Sequence, residues 1–141
     1  RNQVGETPLM YAALFGELDA CVYVIDCLPN MAADQVAQRT EPFVRALRQA
    51  RPTTPVVLVE DRTYANAWLV VGSRQRHAGS RAALRKAFDT LTAAGLGGLH
   101  YVTGEGLLGD DGEATVDSSH PTDLGFVRMA DALEPVLRQL V

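Results

Sequence analysis

Asp117 and His120 stand three positions apart, directly ahead of Pro121 and Thr122. In a turn, that spacing can put a carboxylate and an imidazole on the same side of the chain. Such a pair suits acyl transfer by a serine enzyme. The imidazole takes the proton of the attacking hydroxyl and later returns it, while the carboxylate fixes the tautomer and stabilises the imidazolium. The tetrapeptide is also common by chance. Taken alone, its spacing favours a plainer reading, with Asp117 and Ser118 or Ser119 as turn and cap residues and His120 as an exposed loop histidine.

Whatever holds this pair must come from the elements around it. Three short apolar segments, Ala20 to Asp26, Pro55 to Glu60 and Leu99 to Val102, are rich in valine and show little alternation. They predict strands of a parallel sheet buried on both faces. Between them, Phe43, Val44, Leu47 and Ala50 follow a helix start signal at Thr40 and Pro42, and Leu84, Ala87, Phe88 and Leu91 form a second apolar stripe. A last helix starts at the N-cap Thr122 and places Phe126, Met129, Ala130, Leu133, Val136, Leu137 and Leu140 on one face. Strand and helix alternate throughout, which predicts an α/β fold of right-handed βαβ units with helices on both sheet faces. The longest irregular piece expected is Asp61 to Gly79, which contains Trp68; a loop of that length is more often functional than idle. In open parallel sheets ligands bind beyond the carboxyl ends of the strands. That rule selects Cys27 to Met31, Glu60 to Ala67 and Thr103 to His120.

Bulk properties remove several classes of function. The 141 residues suit one compact domain, and 47% hydrophobic against 21% charged residues leaves enough apolar material for a core. A net charge of -4, with thirteen basic residues scattered along the chain, speaks against nucleic acid as a partner. The apolar runs are far shorter than the roughly twenty residues that span a bilayer, so no membrane partner is expected. The chain does not begin with Met, so any secretory signal would lie upstream of Arg1 and the compartment stays open. Cys21 and Cys27 fall in one predicted strand, about 20 Å apart at strand rise, and cannot pair there.

The segment VDSSHPTDLGF, Val116 to Phe126, resembles the last conserved block of the SGNH/GDSL hydrolase superfamily. In that block an Asp and a His three residues apart, usually followed by Pro, complete a catalytic triad ahead of the C-terminal helix. YVIDCLPNM, Tyr23 to Met31, resembles the third block, in which an Asn donates its side-chain amide to the oxyanion; Asn30 is the matching position. The usual Gly-x-Asn-Asp is here Leu28-Pro29-Asn30-Met31, so the correspondence rests on the Asn. With PVVLVEDRTYANAW between the blocks, the chain is most similar to GDSL-like acylhydrolases that often carry an upstream β-sandwich domain. The resemblance implies a flavodoxin-like three-layer αβα sandwich with a parallel sheet, lacking its N-terminal strands. It implies His120 as general base and acid, Asp117 as its orienting carboxylate, and Asn30 in the oxyanion hole. The substrate would be an O-acyl ester, small or carbohydrate-linked.

The nucleophile block of that family has no counterpart in these residues. Ser73 and Ser80 fall in or beside a helix start, and Ser118 and Ser119 crowd His120. None follows a strand and a small-residue turn, the geometry that exposes an attacking hydroxyl. The nucleophile is therefore expected upstream of Arg1, and the isolated chain is expected to be inactive. The absent first strands would leave sheet edges for an upstream segment, a partner chain or self-association to complete. The competing reading is a truncated, non-catalytic α/β module that binds or assembles. No cofactor or metal is implied: His77 and His100 lack the spacing of a zinc set, and His100 in an apolar strand reads as a core residue. Gly109 to Glu113 reads as a solvated turn. Glu60, Asp61 and Arg62, at the end of a strand, suit equally a substrate-site lining or a surface ion pair.

Overall fold

A computed structural model describes residues 20–141 of the chain. Three strands, β1 (Tyr23–Ile25), β2 (Val56–Val59) and β3 (Leu99–Val102), pair parallel in the order β1-β2-β3. Tyr23 lies opposite Val56, and Val56 opposite Leu99. The middle strand explains the missing alternation in its sequence. All four of its residues are at most 1% exposed, because successive side chains point to opposite faces and both faces are covered.

Val56 and Leu58 face one layer, formed by α1 (Ala33–Ala50) and α2 (Val71–Ala93), where they meet Val36, Val44, Leu47, Leu84 and Leu91. Val57 and Val59 face the other layer, where α3 (Asp123–Leu137) brings Met129, Ala132, Leu133, Val136 and Leu137 against Val102 and Leu107. The result is the expected three-layer αβα arrangement. Each such Val or Leu taken fully out of water contributes roughly 1.5–3 kcal/mol, so the β2 side chains are a main source of the driving force that joins the layers. Among the described strands β1 has one edge without a partner, and its Val24 is 38% exposed. Cys21 and Cys27 flank β1 as free thiols.

Two helix boundaries depart from the sequence-based expectation. Helix α1 starts at Ala33, not near Thr40, and contains Pro42. Pro42 is on the exposed side of the helix, as is Gln38, whose carbonyl would otherwise accept the missing N–H, so water can satisfy that carbonyl. The true start carries no Ser, Thr, Asp or Asn cap; instead the Gln35 side chain accepts the Ala32 N–H at 3.0 Å. Helix α2 starts at Val71, so the irregular stretch after β2 ends near Val70 instead of Gly79. Its N-cap Val70 makes no side-chain cap bond, and the turn leading into it is closed by the main chain, the Asn66 carbonyl accepting from Leu69 and Val70. In α3 the N-cap is as expected, the Thr122 hydroxyl accepting from the Gly125 N–H at 3.2 Å. Phe126 and Ala130, expected on its packed face, are exposed, Phe126 by 61%. The first turn of α3 lies against the preceding loop, where a Cβ at Gly125 would meet the Ala114 carbonyl at 2.3 Å.

Candidate active site

Because the strands are parallel, the loops leaving all three emerge at one end of the sheet, and the proposed catalytic side chains sit on two of them. The segment after β3 begins with a backbone crossing so close that only glycine fits. A Cβ on Gly104 would lie 1.9 Å from the Asp61 carbonyl oxygen. Glu60 holds this crossing, its Oε2 accepting the Gly104 N–H at 2.8 Å and its Oε1 the Tyr101 hydroxyl at 2.7 Å. Leu107 and Leu108 then anchor the segment in the interior, and Arg128 of α3 grips it through the Leu108 carbonyl and a two-pronged pairing with Asp111.

From Ala114 the chain doubles back in a small hairpin. Thr115 and Pro121 form an antiparallel bridge, and the Val116 N–H donates to the His120 carbonyl at 2.9 Å. The tip is Asp117 to His120, and Asp117 organises it. Oδ1 accepts the N–H groups of Ser119 at 3.0 Å and His120 at 2.8 Å, and Oδ2 lies 2.6 Å from His120 Nδ1. The Asp117 carboxyl is held down to about 2, chiefly by the backbone N–H of His120, then by its ring and by the Ser119 N–H. An ionised carboxylate only accepts hydrogen bonds, so it places the imidazole proton on Nδ1 and leaves Nε2 as the basic nitrogen. His120 is 73% exposed, so within the described chain a reacting group can reach Nε2. One carboxylate oxygen thus shapes the turn while the other meets the ring.

Asn30 stands past the carboxyl end of β1, closing one turn of 3-10 helix, Leu28–Asn30. Leu28 is buried beneath it and the Asn30 side chain is exposed. Its loop is tied down by Arg76 of α2, whose Nη2 donates to the Pro29 carbonyl at 3.0 Å. The structure thus brings Asp117 and His120 into direct contact and displays Asn30 on a separate loop at the same end of the sheet.

Between these loops lies the exit of β2. Glu60, Asp61 and Arg62 are 8%, 0% and 8% exposed, so their ion pairs are buried braces and not the surface pair allowed by the sequence. Arg62 reaches the hairpin, donating from Nε to the Ser119 carbonyl at 2.6 Å and from Nη2 to Ser119 Oγ at 2.7 Å. Asp61 Oδ2 accepts the Tyr64 hydroxyl at 3.2 Å, and Tyr64 in turn accepts from Arg76 Nε at 3.3 Å. Burial pushes the Asp61 carboxyl above its ordinary value, against the pull of Arg62, and pushes His77 below its own. Sequence reasoning placed Arg62 in a candidate substrate-site lining but did not foresee that it, Tyr64 and Arg76 brace the loops. The one available signal was a charged triplet immediately after a fully apolar strand. Ser80 is buried and donates to main-chain carbonyls of its own helix, Ser73 lies in the first turn of α2, and the Ser119 hydroxyl accepts from Arg62.

A cleft of about 530 Å³ flanks the hairpin, lined by Tyr64, Ala65, Trp68, Leu108, Ala114 and Thr115 among others. It does not contain Asp117, His120 or Asn30. It touches the Asp117–His120 hairpin through Thr115 and through Ala65, whose N–H donates to the Ser118 carbonyl at 2.9 Å. Among the described residues, no three His, Cys, Asp or Glu side chains group as a metal ion would require. No described helix is long and apolar enough to cross a membrane.

A parallel sheet between helical layers, with an Asp-x-x-His pair ahead of the last helix, defines an α/β chain of the flavodoxin-like class. The chain belongs to the GDSL-like lipase/acylhydrolase family, which residues 7–138 match. It is similar to a solved protein of Bacteroides ovatus described as a GDSL-like lipase, at 28% identity and a TM-score of 0.85 over 92% of this chain and 39% of that one. It also shares its fold with the salicylyl-acyltransferase SsfX3 of a tetracycline biosynthetic pathway, at 19% identity and a TM-score of 0.68 over 92% and 40% of the two chains. The chain thus spans about two fifths of the length of these solved proteins. None of the curated proteins matches it.

Proposed function

We propose that this chain supplies the Asp-His half of a serine acylhydrolase site acting on O-acyl esters, with carbohydrate-linked acyl groups among the substrates. The observation that carries this reading is the 2.6 Å contact between Asp117 Oδ2 and His120 Nδ1 on an exposed hairpin ahead of α3. In the cycle that follows, a serine outside these residues attacks the ester carbonyl as His120 Nε2 takes its proton. Asp117 stabilises the imidazolium, and the Asn30 amide donates to the oxyanion. Collapse of the intermediate expels the alcohol with the proton from Nε2, and water repeats the sequence on the acyl-enzyme. The cleft beside the hairpin has the volume and the mainly apolar wall to hold one group of the ester.

The free edge of β1 among the described strands supports completion of the sheet by a further strand, from elsewhere in the full-length protein or from a second copy. His120→Ala in the full-length protein should abolish hydrolysis of a short-chain aryl ester while leaving the protein folded. Unchanged turnover would remove the hydrolase reading and leave a binding or assembly module.

A further inference from the structure

The hydrogen bonds within the hairpin tip fix Asp117 relative to His120, but they do not fix the tip relative to the sheet. The tip's placement against the sheet needs support from outside, and within the tip Ser118 has φ 75°, a conformation disfavoured for a residue with a side chain. Two contacts supply that support, and both come from the loop leaving β2. One is the Ala65 N–H to the Ser118 carbonyl. The other is the Arg62 fork on Ser119, with bonds of 2.6 and 2.7 Å.

Arg62 grips one particular peptide. The Ser119 carbonyl belongs to the unit joining Ser119 to His120, and the N–H of that same unit donates to Asp117 Oδ1 at 2.8 Å. The peptide is clamped at both ends, by a guanidinium on its oxygen and a carboxylate on its hydrogen. A cation on the carbonyl polarises the amide and strengthens its N–H as a donor, so the two bonds reinforce each other. The guanidinium is itself held: Arg62 is 8% exposed, its Nη1 lies 3.8 Å from Asp61 Oδ1, and it sits 5.7 Å from the Tyr64 ring centre. Arg62 touches neither His120's ring nor Asp117's carboxylate in these contacts; it holds the backbone from which both are presented.

We propose that Arg62 is a positioning residue of the hydrolytic reaction, setting where His120 presents Nε2 by clamping the Ser119–His120 peptide. This rests on the assignment of Asp117 and His120 made above. A loop freed from the clamp keeps its residues and loses the orientation of its base, and misplacement of a catalytic group by about 1 Å costs on the order of 100-fold.

The test compares Arg62→Met, Arg62→Lys and His120→Ala in the full-length protein on a short-chain aryl ester. Active sites are counted by fluorophosphonate labelling. Arg62→Met should lower kcat per labelled site about 100-fold with KM little changed. Arg62→Lys keeps the charge beside Asp61 but cannot reproduce the two-pronged fork, and should lose at least tenfold. In proton NMR the low-field imidazole N–H signal of the His120–Asp117 pair should broaden or vanish in both. If Arg62→Met does not fold, Arg62→Lys decides the matter. A folded Arg62 variant with wild-type kcat per site and a sharp imidazole signal overturns the proposal, as does a change confined to KM. If His120→Ala is also without effect, the dyad assignment fails instead.

Discussion

The loops leaving β1 and β3 both carry proposed active-site residues, and they are built on different length scales. Beyond β1, a single 3-10 turn displays Asn30 three residues past the strand's flanking Cys27, with buried Leu28 as its root. Beyond β3, the chain makes a long excursion through Gly104, Leu107 and Arg128's pairing partner Asp111 before reaching a tip organised by one aspartate. The short loop needs little beyond the strand and one bond from Arg76 Nη2 to the Pro29 carbonyl. The long one must be fastened, and α3, Glu60 and Arg62 do this from three sides. The difference shows where geometry is vulnerable. Changes at Asn30 should remove one hydrogen bond donor, whereas changes around the tip should disturb a network.

Three experiments on the full-length protein sharpen that contrast. The largest effect is expected at Asp117. Asp117→Asn replaces an acceptor-only carboxylate by an amide, which no longer enforces the Nδ1–H tautomer and no longer stabilises the imidazolium. A loss of about 10³- to 10⁴-fold in kcat is expected from steady-state kinetics. A loss below tenfold would show that the hairpin contact is only a turn. Asn30→Ala should cost about 10²- to 10³-fold in kcat, as removal of one oxyanion donor does, with the tip's imidazole signal unchanged. If that signal moves, the two loops are not independent.

The smallest effect concerns pH. The Asp117 carboxyl is depressed to about 2 in the folded hairpin, against an ordinary value of 3.8. The carboxylate form is therefore favoured by folding, and its contribution is fully present above the ordinary value and lost as pH falls through about 2. An NMR titration of the Asp117 carboxyl should give a midpoint well below 3.8, with the His120 amide signal shifting in the same window. A midpoint at the ordinary value would show that the tip is not formed in solution.

Much of the frame was legible from composition and periodicity. β2 reads as an unbroken apolar run because both of its faces are buried, and Thr122 reads as a cap because its hydroxyl accepts from Gly125 within its own turn. What misled was local signals standing in the wrong context. Pro42 carries the mark of a first helical turn, but its ring faces outward and α1 runs through it. The starts of α1 and α2 lack Ser, Thr, Asp or Asn caps; Gln35 closes the first, and the second is entered through a main-chain turn at Asn66, which leaves no composition signal. Phe126 has the right period for the packed face of α3. It lies in the turn that covers the hairpin instead of the sheet.

The Asp117–His120 contact was written into the sequence, because every bond that makes it lies within four consecutive residues and a carboxylate closes such a turn by itself. The clamp on that contact was not. Arg62 and Ser119 are 57 positions apart, and only the parallel register of β2 and β3 brings the two strand exits together. A charged triplet after a buried strand could equally have faced water. Burial at that crossing made Arg62 a support for the hairpin, and burial is decided by the layers that pack over it.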